Sequence, residues 1–485
     1  MLWLTLPALA SPTALDAWST DLARPGCHRA AADHLAASLP DLPPHQQAAT
    51  VAQLPQLAGA PTPPPGALTC FAVPGDHQLV TEHFVVSWDD GVVDEAGALA
   101  VADALELSWT RLFDELGWER PAGSDRWHLS VHLSADPFEG GYTTETRCGG
   151  EDVPFIVIGA GTFAWGTWYQ DVAAHELLHT SHYRYGRAFD SWWWEATAIW
   201  IQEQVFPAND EWAYYVDFFV AYPHWSLTTS SYSGDPARHM YGSALWVFWL
   251  EQEHGGHDYV QSLWERSRDL PGNLQAEMDD VLGPERSMDA EFVRFAEAMV
   301  VNGIGEGTLY DGPAHEAVAA LPAVGGSVSP DHPERWGMHY VRFTGDALPA
   351  EGLEVVVDAD PSVQVSLLGV VDGAIVAHGV ETSAGAWQLE PADALDEAWL
   401  VAVNTGVARE PVAFTAYPVG EPPAPTGDTA SAAATADTGT VPLPTGDTGS
   451  DEGPVDDDGV AVDERGCGCA SAPATRPLGW LIRRR

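Results

Sequence analysis

Lysine is missing altogether from the 485 residues, so every positive side chain other than histidine is an arginine. A Schiff-base lysine, a lysine nucleophile and the lysine of a phosphate-binding loop are thereby excluded. Positive charge is scarce in total, 21 Lys+Arg against 70 Asp+Glu, for a net charge of -49. Such a chain repels nucleic acid and anionic lipid. Residues 421–466 hold only 11 of the acidic residues and one arginine, so most of the surplus lies in the part expected to fold. No run approaches the roughly 20 apolar residues that a membrane-crossing helix needs. Cysteine is sparse too, with five in all. Cys27 and Cys70 flank a Pro- and Ala-rich segment and can pair in an exported protein, while Cys148, just before Gly149 and Gly150, can instead pair with either of them.

What is present is His175-Glu176-Leu177-Leu178-His179, followed 16 residues later by Glu195 in Trp192-Trp193-Trp194-Glu195-Ala196. On a helix, positions i and i+4 lie on one face about 6 Å apart, so both imidazoles reach one ion. Thr167 and Gln170 stand in capping-box spacing ahead of the motif, and Val172, Ala173, Leu177 and Leu178 give the helix apolar faces to bury. Glu176 follows the first histidine directly and so points beside the metal, where it can take a proton from water held by the ion.

A catalytic zinc keeps three protein ligands and one open position. His182 lies on the same face as His175, but about 10 Å of helix rise separates them, too far for bonds of about 2 Å to one ion. A metzincin would require Gly at 182 and His at 185, where this chain has His182 and Tyr185. Asp190 and Ser191 read as helix caps, and Glu203 reads as solvated. Glu195 remains. It would open a second helix over 192–205, ended by Pro207, with Glu195, Ile199 and Gln202 on one stripe. A carboxylate on that inward stripe needs a partner, and a metal supplies it.

With these residues the chain resembles the gluzincin peptidases, zinc metallopeptidases that pair HExxH with a downstream Glu ligand on a second helix. It is most similar to their peptidase-MA-like branch, of the myxobacterial secreted type. The resemblance covers residues 76–305 and extends to Tyr241-Gly242-Ser243-Ala244-Leu245-Trp246, similar to the helix that follows the active site in aminopeptidase-like relatives. There a Tyr or a His stabilises the tetrahedral intermediate; here His239 and Tyr241 are both candidates, and the assignment between them stays open. The resemblance also implies that the strand at 155–158 is the edge strand that binds substrate backbone by strand addition, with an ordinary core strand as the alternative. Thermolysin-like enzymes carry an acidic residue four positions after the ligand Glu, and here that place is Ile199, so the group orienting the zinc histidines is unidentified.

Around the motif, 83–88, 127–133 and 155–158 read as strands and 94–116 as an amphipathic helix before Gly117. A last helix is expected over 289–300, then a Gly- and Ala-rich connection over 303–326. Beyond it the period changes to short strands at 340–343, 353–357, 363–368, 374–377, 399–403 and 412–417, with Asp372-Gly373 as a hairpin turn. The fold class expected is therefore α+β: a thermolysin- or gluzincin-like catalytic domain, a mixed sheet plus active-site helices, over 76–305, then a β-sandwich over 325–420 and a disordered acidic tail. Residues 1–19, with the apolar run 2–10 ending Ala8-Leu9-Ala10, resemble a signal peptide without a basic n-region, and 20–75 form a small helical segment that could serve as a pro-segment. Residues 421–466 are a spacer rich in Thr, Gly, Asp and Pro, in which Thr-Gly-Asp-Thr occurs twice. The Cys467-Gly468-Cys469 segment, with its apolar patch and Arg483 to Arg485, resembles the C-terminal sorting segments of myxobacterial surface proteins and implies surface anchoring.

The function expected is an exported zinc metallopeptidase, secreted or held at the cell surface, acting on protein or peptide substrates. His175, His179 and Glu195 would hold Zn2+, Glu176 would be the general base, and His239 or Tyr241 would steady the oxyanion. The lack of a Gly-Ala-Met-Glu-Asn-type segment near 155–161 favours an endopeptidase. The rival is a non-catalytic adhesion or scaffold protein with a vestigial zinc site.

Overall fold

A computed structural model of the chain describes residues 68–70, 75–135, 140–186, 191–268, 279, 282, 286–391 and 394–421. The signal-like segment, nearly all of 20–75, Cys27, Asp190, the acidic spacer beyond 421 and the sorting-like tail lie outside the described residues. No helix among the described residues is long and apolar enough to cross a membrane.

The first unit is a five-stranded mixed sheet with helices against it. Strands β1 (His77–Val80), β2 (Phe84–Trp88), β3 (Leu129–Ser134), β4 (Gly141–Cys148) and β5 (Glu151–Gly159) lie in the order β1-β2-β3-β5-β4. β2, β3 and β5 run parallel, and β1 and β4 run antiparallel to their neighbours. Helix α1 (Glu95–Trp109) makes the crossover from β2 to β3. It starts where the Asp94 carboxylate accepts from the Gly97 amide at 2.8 Å. It buries Ala98, Val101, Ala102, Leu105 and Trp109 as a helical stripe, then continues as a π-helical turn, Thr110–Glu115.

One expectation is corrected here. The run at 155–158 is the middle of β5, flanked on both sides, and among the described residues the edge on that side of the sheet is β4. β4 escapes sequence reading because Tyr142-Thr143-Thr144-Glu145-Thr146-Arg147 is polar throughout, with no apolar alternation to mark it. Of the cysteine pairings left open, the structure shows the one in which Cys148, at the end of β4, stands at disulfide distance from Cys70, with a Cα–Cα separation of 6.0 Å. The bridge closes a sequence separation of 78 residues. Cys148→Ser is therefore expected to cost about 2–4 kcal/mol in unfolding free energy. A urea midpoint identical to that of the parent would show that the link contributes nothing.

A short 3-10 turn, Ala160–Trp165, leads into the helical layer: α2 (Trp168–Tyr185), α3 (Ser191–Val205), α4 (Glu211–Ala221), α5 (Gly234–Gly242), α6 (Ala244–His254), α7 (His257–Ser267) and α8 (Met288–Met299). The capping box does not form. The Thr167 hydroxyl turns instead to the Asn209 side chain at 3.0 Å, a tertiary partner that outcompetes the local one. α2 ends at Gly186, whose φ of 102° favours glycine. α2 and α3 are buried on nearly every side, with Trp192, Trp193 and Trp200 fully inside.

The second unit is a β-sandwich. Strands β6 (Glu316–Ala320), β7 (Ala323–Gly326), β8 (Met338–Asp346), β9 (Leu353–Ala359), β10 (Val363–Val371), β11 (Ala374–His378), β12 (Val380–Ser383), β13 (Ala386–Leu389), β14 (Glu397–Asn404) and β15 (Val412–Pro418) form two sheets. Their orders are β11-β10-β14-β8-β6 and β12-β13-β9-β15-β7. Val341, Phe343 and Leu400 of one sheet meet Val355, Phe414 and Ala416 of the other in a shared core. The hairpin at Asp372-Gly373 has φ of 50° and 72°, the two positive values a type I′ turn requires. The stretch expected as a connection over 303–326 carries β6 and β7, so the sandwich begins at Glu316. Their Ala- and Gly-rich sequences have low strand propensity, which hides them.

Period-2 alternation gives the first sheet a second apolar face. Tyr340, Leu368, Val370, Trp399 and Val401 join the same core as Phe292, Phe295 and Met299 of α8. The Tyr340 hydroxyl donates to the Ala296 carbonyl at 3.0 Å, and the Trp336 indole donates to Asp289 at 2.8 Å. The sandwich and the helical layer thus share one interior.

Candidate metal centre

α2 carries His175 and His179 one turn apart, and the second turn of α3 brings Glu195 up to them. His175 Nε2 lies 3.0 Å from Glu195 Oε2, and His179 Nε2 lies 3.6 Å from the same oxygen. Tetrahedral ligands about 2 Å from one ion stand roughly 3.3 Å apart, so this spacing fits a small divalent metal. Among the described residues this is the one group of three whose ligand atoms all lie within 4.8 Å of one another. All three side chains are buried, and burial would by itself push the Glu195 carboxyl up. His179 and His175 outweigh it and hold the carboxyl down at about 2, so Glu195 is an anion. Burial likewise opposes charge on His179, and Glu195 outweighs it, raising the imidazole above its usual value. The triad is disposed to bind a metal ion.

Glu176 is buried beside the triad, 1% exposed. Thr143 of β4 holds it: the hydroxyl stands 2.8 Å from both Glu176 Oε2 and the Glu176 carbonyl. The Thr143 carbonyl in turn accepts from the Tyr183 hydroxyl at 3.1 Å, tying the sheet edge to α2. Next to Thr143, Gly141 lies so close that a Cβ there would stand 2.8 Å from Glu176 Cγ and 2.9 Å from the Val157 carbonyl. Only glycine lets the strand approach Glu176 this closely.

The two oxyanion candidates separate. Tyr241 is buried with its ring 6.2 Å from that of His175 and 5.1 Å from that of Tyr215. His239 is not brought to the site: its ring packs on Phe219 at 4.8 Å and Trp225 at 5.4 Å. Burial first, then the nearby His224, pushes the His239 imidazole down to about 3, so it is neutral. Two residues apart on a helix means about 200° of rotation, which turns one side chain away when the other faces inward. Gly242 sets that rotation, because a Cβ there would meet the Tyr215 carbonyl at 2.4 Å where α5 crosses α4.

The orienting groups that the sequence left unnamed are Gln202 and His182. The Gln202 amide reaches His175 Nδ1 at 3.2 Å. With His175 Nε2–H directed at the Glu195 carboxylate, Nδ1 is bare and accepts from the Gln202 amide; a half-turn of the amide would present its Oε1 to an Nδ1–H when Nε2 instead holds a metal. Gln202 was legible as a polar residue two turns after Glu195 on an apolar face. His182, set aside as a ligand, has its Nδ1 3.2 Å from His179 Nδ1. Thr143 carries no signal in the sequence, because the strand that holds it is polar along its length.

One turn ahead of His175, Asp171 is buried with both carboxylate oxygens near the Asn209 amide, at 3.2 and 3.1 Å. Burial raises its pKa to about 8, with Asn209 opposing and Glu211 and Glu203 adding. Glu203, expected to be solvated, is half-buried and pushed up to about 7 by burial, then by Asp210 and Glu306. The folded chain therefore keeps a proton on Asp171 that the unfolded chain loses above about pH 4. The stability this group contributes is fully present below about pH 4 and declines as pH rises toward 8, by up to about 1.4 kcal/mol per unit. Asp171→Asn should flatten the decline in urea unfolding between pH 5 and 8, and an equally steep variant would contradict the assignment.

A comparison with protein-family models gave no match, and a comparison with curated protein sequences gave none either.

Proposed function

We propose that the chain is an exported zinc metallopeptidase of thermolysin-like, gluzincin architecture, acting on protein or peptide substrates. The observation that carries the reading is the convergence of His175, His179 and an ionised Glu195 beside a buried, non-ligating Glu176. Two histidines, a carboxylate and an open position suit zinc. Zinc held by these three residues would supply Lewis acidity and a water acid enough to lose its proton near neutrality. Glu176 takes that proton and passes it to the leaving amine. Thr143 keeps the Glu176 carboxylate turned to the task. Tyr241 steadies the charge that develops on the carbonyl oxygen. β4, the edge strand beside Glu176 among the described residues, accepts the substrate backbone as an added strand.

The lack of a Gly-Ala-Met-Glu-Asn-type segment near 155–161 supports an endopeptidase, and the edge strand β4 carries one carboxylate, Glu145. Export is supported by the Cys70–Cys148 pair, which persists in oxidising compartments.

The test is hydrolysis of a quenched fluorescent peptide library by full-length protein, metal-stripped and then restored with zinc. Free and N-acetylated peptides are compared to separate exo- from endopeptidase action. Cleavage confined to the restored protein is the expected result. A folded, zinc-loaded chain that cleaves nothing would overturn the proposal in favour of the adhesion or scaffold reading.

A further inference from the structure

We infer that His182, set by Thr197, is the positioning residue that fixes the tautomer of His179 and so presents its Nε2 lone pair to the metal. The inference rests on the metal-site reading and follows from counting hydrogens along one chain of contacts. Thr197 Oγ1 lies 2.8 Å from the Trp193 carbonyl and 3.2 Å from the Trp194 carbonyl. Carbonyls only accept, so the single hydroxyl hydrogen is spent on them. Toward His182 Nε2, 3.3 Å away, Thr197 can therefore only accept. His182 carries its hydrogen on Nε2, and in the neutral ring Nδ1 is bare.

That bare nitrogen faces His179 Nδ1 at 3.2 Å, and one of the two must donate. His179 Nδ1 is the donor, which leaves its Nε2 as the free ligand atom on the side of Glu195. Packing holds the plane of the His182 ring. It stacks on Trp264 at 4.0 Å and 12°, with Trp194 edge-on at 5.2 Å. His182 itself is fully buried. The tryptophans crowded around the motif thus serve as a mould for a ring one step removed from the metal.

The test has two arms on the full chain. In the first, nitrogen-15 histidine spectra of metal-free protein, assigned by difference with His182→Asn, read the His182 tautomer. A hydrogen on Nε2 is expected, and a hydrogen on Nδ1 would overturn the inference whatever the metal does. In the second, zinc affinity is measured by competition with a chromophoric chelator. His182→Phe keeps a flat ring on Trp264 but removes the acceptor and should weaken zinc binding about 10–100-fold. His182→Asn places a carbonyl where Nδ1 was and should hold affinity within about threefold. Equal loss in both variants, or none in His182→Phe, would reduce His182 to packing and overturn the inference. Should His182→Phe fail to fold, Thr197→Val, which removes the acceptor for Nε2–H without changing shape, is read by the same spectra. Parent protein that binds no zinc would count against the metal reading, and the tautomer arm would still decide this one.

Discussion

Glu176→Gln is expected to lower peptide hydrolysis by roughly 10²–10⁴-fold, the range associated with a lost general base, while zinc affinity stays unchanged. The substitution is close to isosteric, and the amide oxygen can still accept from the Thr143 hydroxyl that now holds Oε2 at 2.8 Å. Packing against Gly141 is preserved, since the side chain keeps its length. What disappears is the ability to receive a proton. Glu176 is not one of the three ligand residues, so bound zinc measured by competition should be the same in both proteins. Full turnover in the zinc-loaded variant would remove Glu176 from the mechanism.

Glu195→Gln should abolish tight zinc binding and the stabilisation that comes with it. In the parent the carboxyl is held at about 2, against burial, by His179 and His175, so the triad presents a full negative charge to an ion. A neutral amide ends that. Zinc at 100 times its dissociation constant stabilises a folded protein by about 2.7 kcal/mol, and a thermal scan of the parent with and without zinc should show the shift. The variant should show none. Metal-free Glu195→Gln should itself be less stable by about 1.5–3 kcal/mol, because His175 and His179 lose a charged acceptor 3.0 and 3.6 Å away inside a buried site. A zinc-induced shift as large in the variant as in the parent would dismiss Glu195 as a ligand.

The ligand set was readable because its logic is local. His175 and His179 are related by one helical turn, and Glu195 by the need of an inward carboxylate for a partner. Most of what stayed hidden depends on contacts distant in sequence. Whether His239 or Tyr241 faces the histidines is set by how closely α5 crosses α4 at Gly242. His182 stands only three residues beyond His179 on α2 itself, whereas the partner of His175, Gln202, required knowing which residues of α3 lie opposite α2. The capping box at Thr167 failed for the same reason, since Asn209 lies 42 residues away. Strands with apolar alternation, such as β8, β10 and β14, announced themselves. β4 is polar, β6 and β7 are Ala- and Gly-rich, and β12 is exposed throughout, so none of them did.

The shared interior between α8 and the first sandwich sheet decides where the chain can be cut. A fragment ending after the last helix would strip Tyr340, Leu368, Val370, Trp399 and Val401 from Phe292 and Phe295 and leave an oily face in water. Phe295 also packs on Trp246 and Phe219, and Phe219 sits under Gly242 beside Tyr241. A protease nick that released the sandwich would therefore loosen the helix that carries Tyr241, making the second unit a structural wall of the first and its removal a means of inactivation.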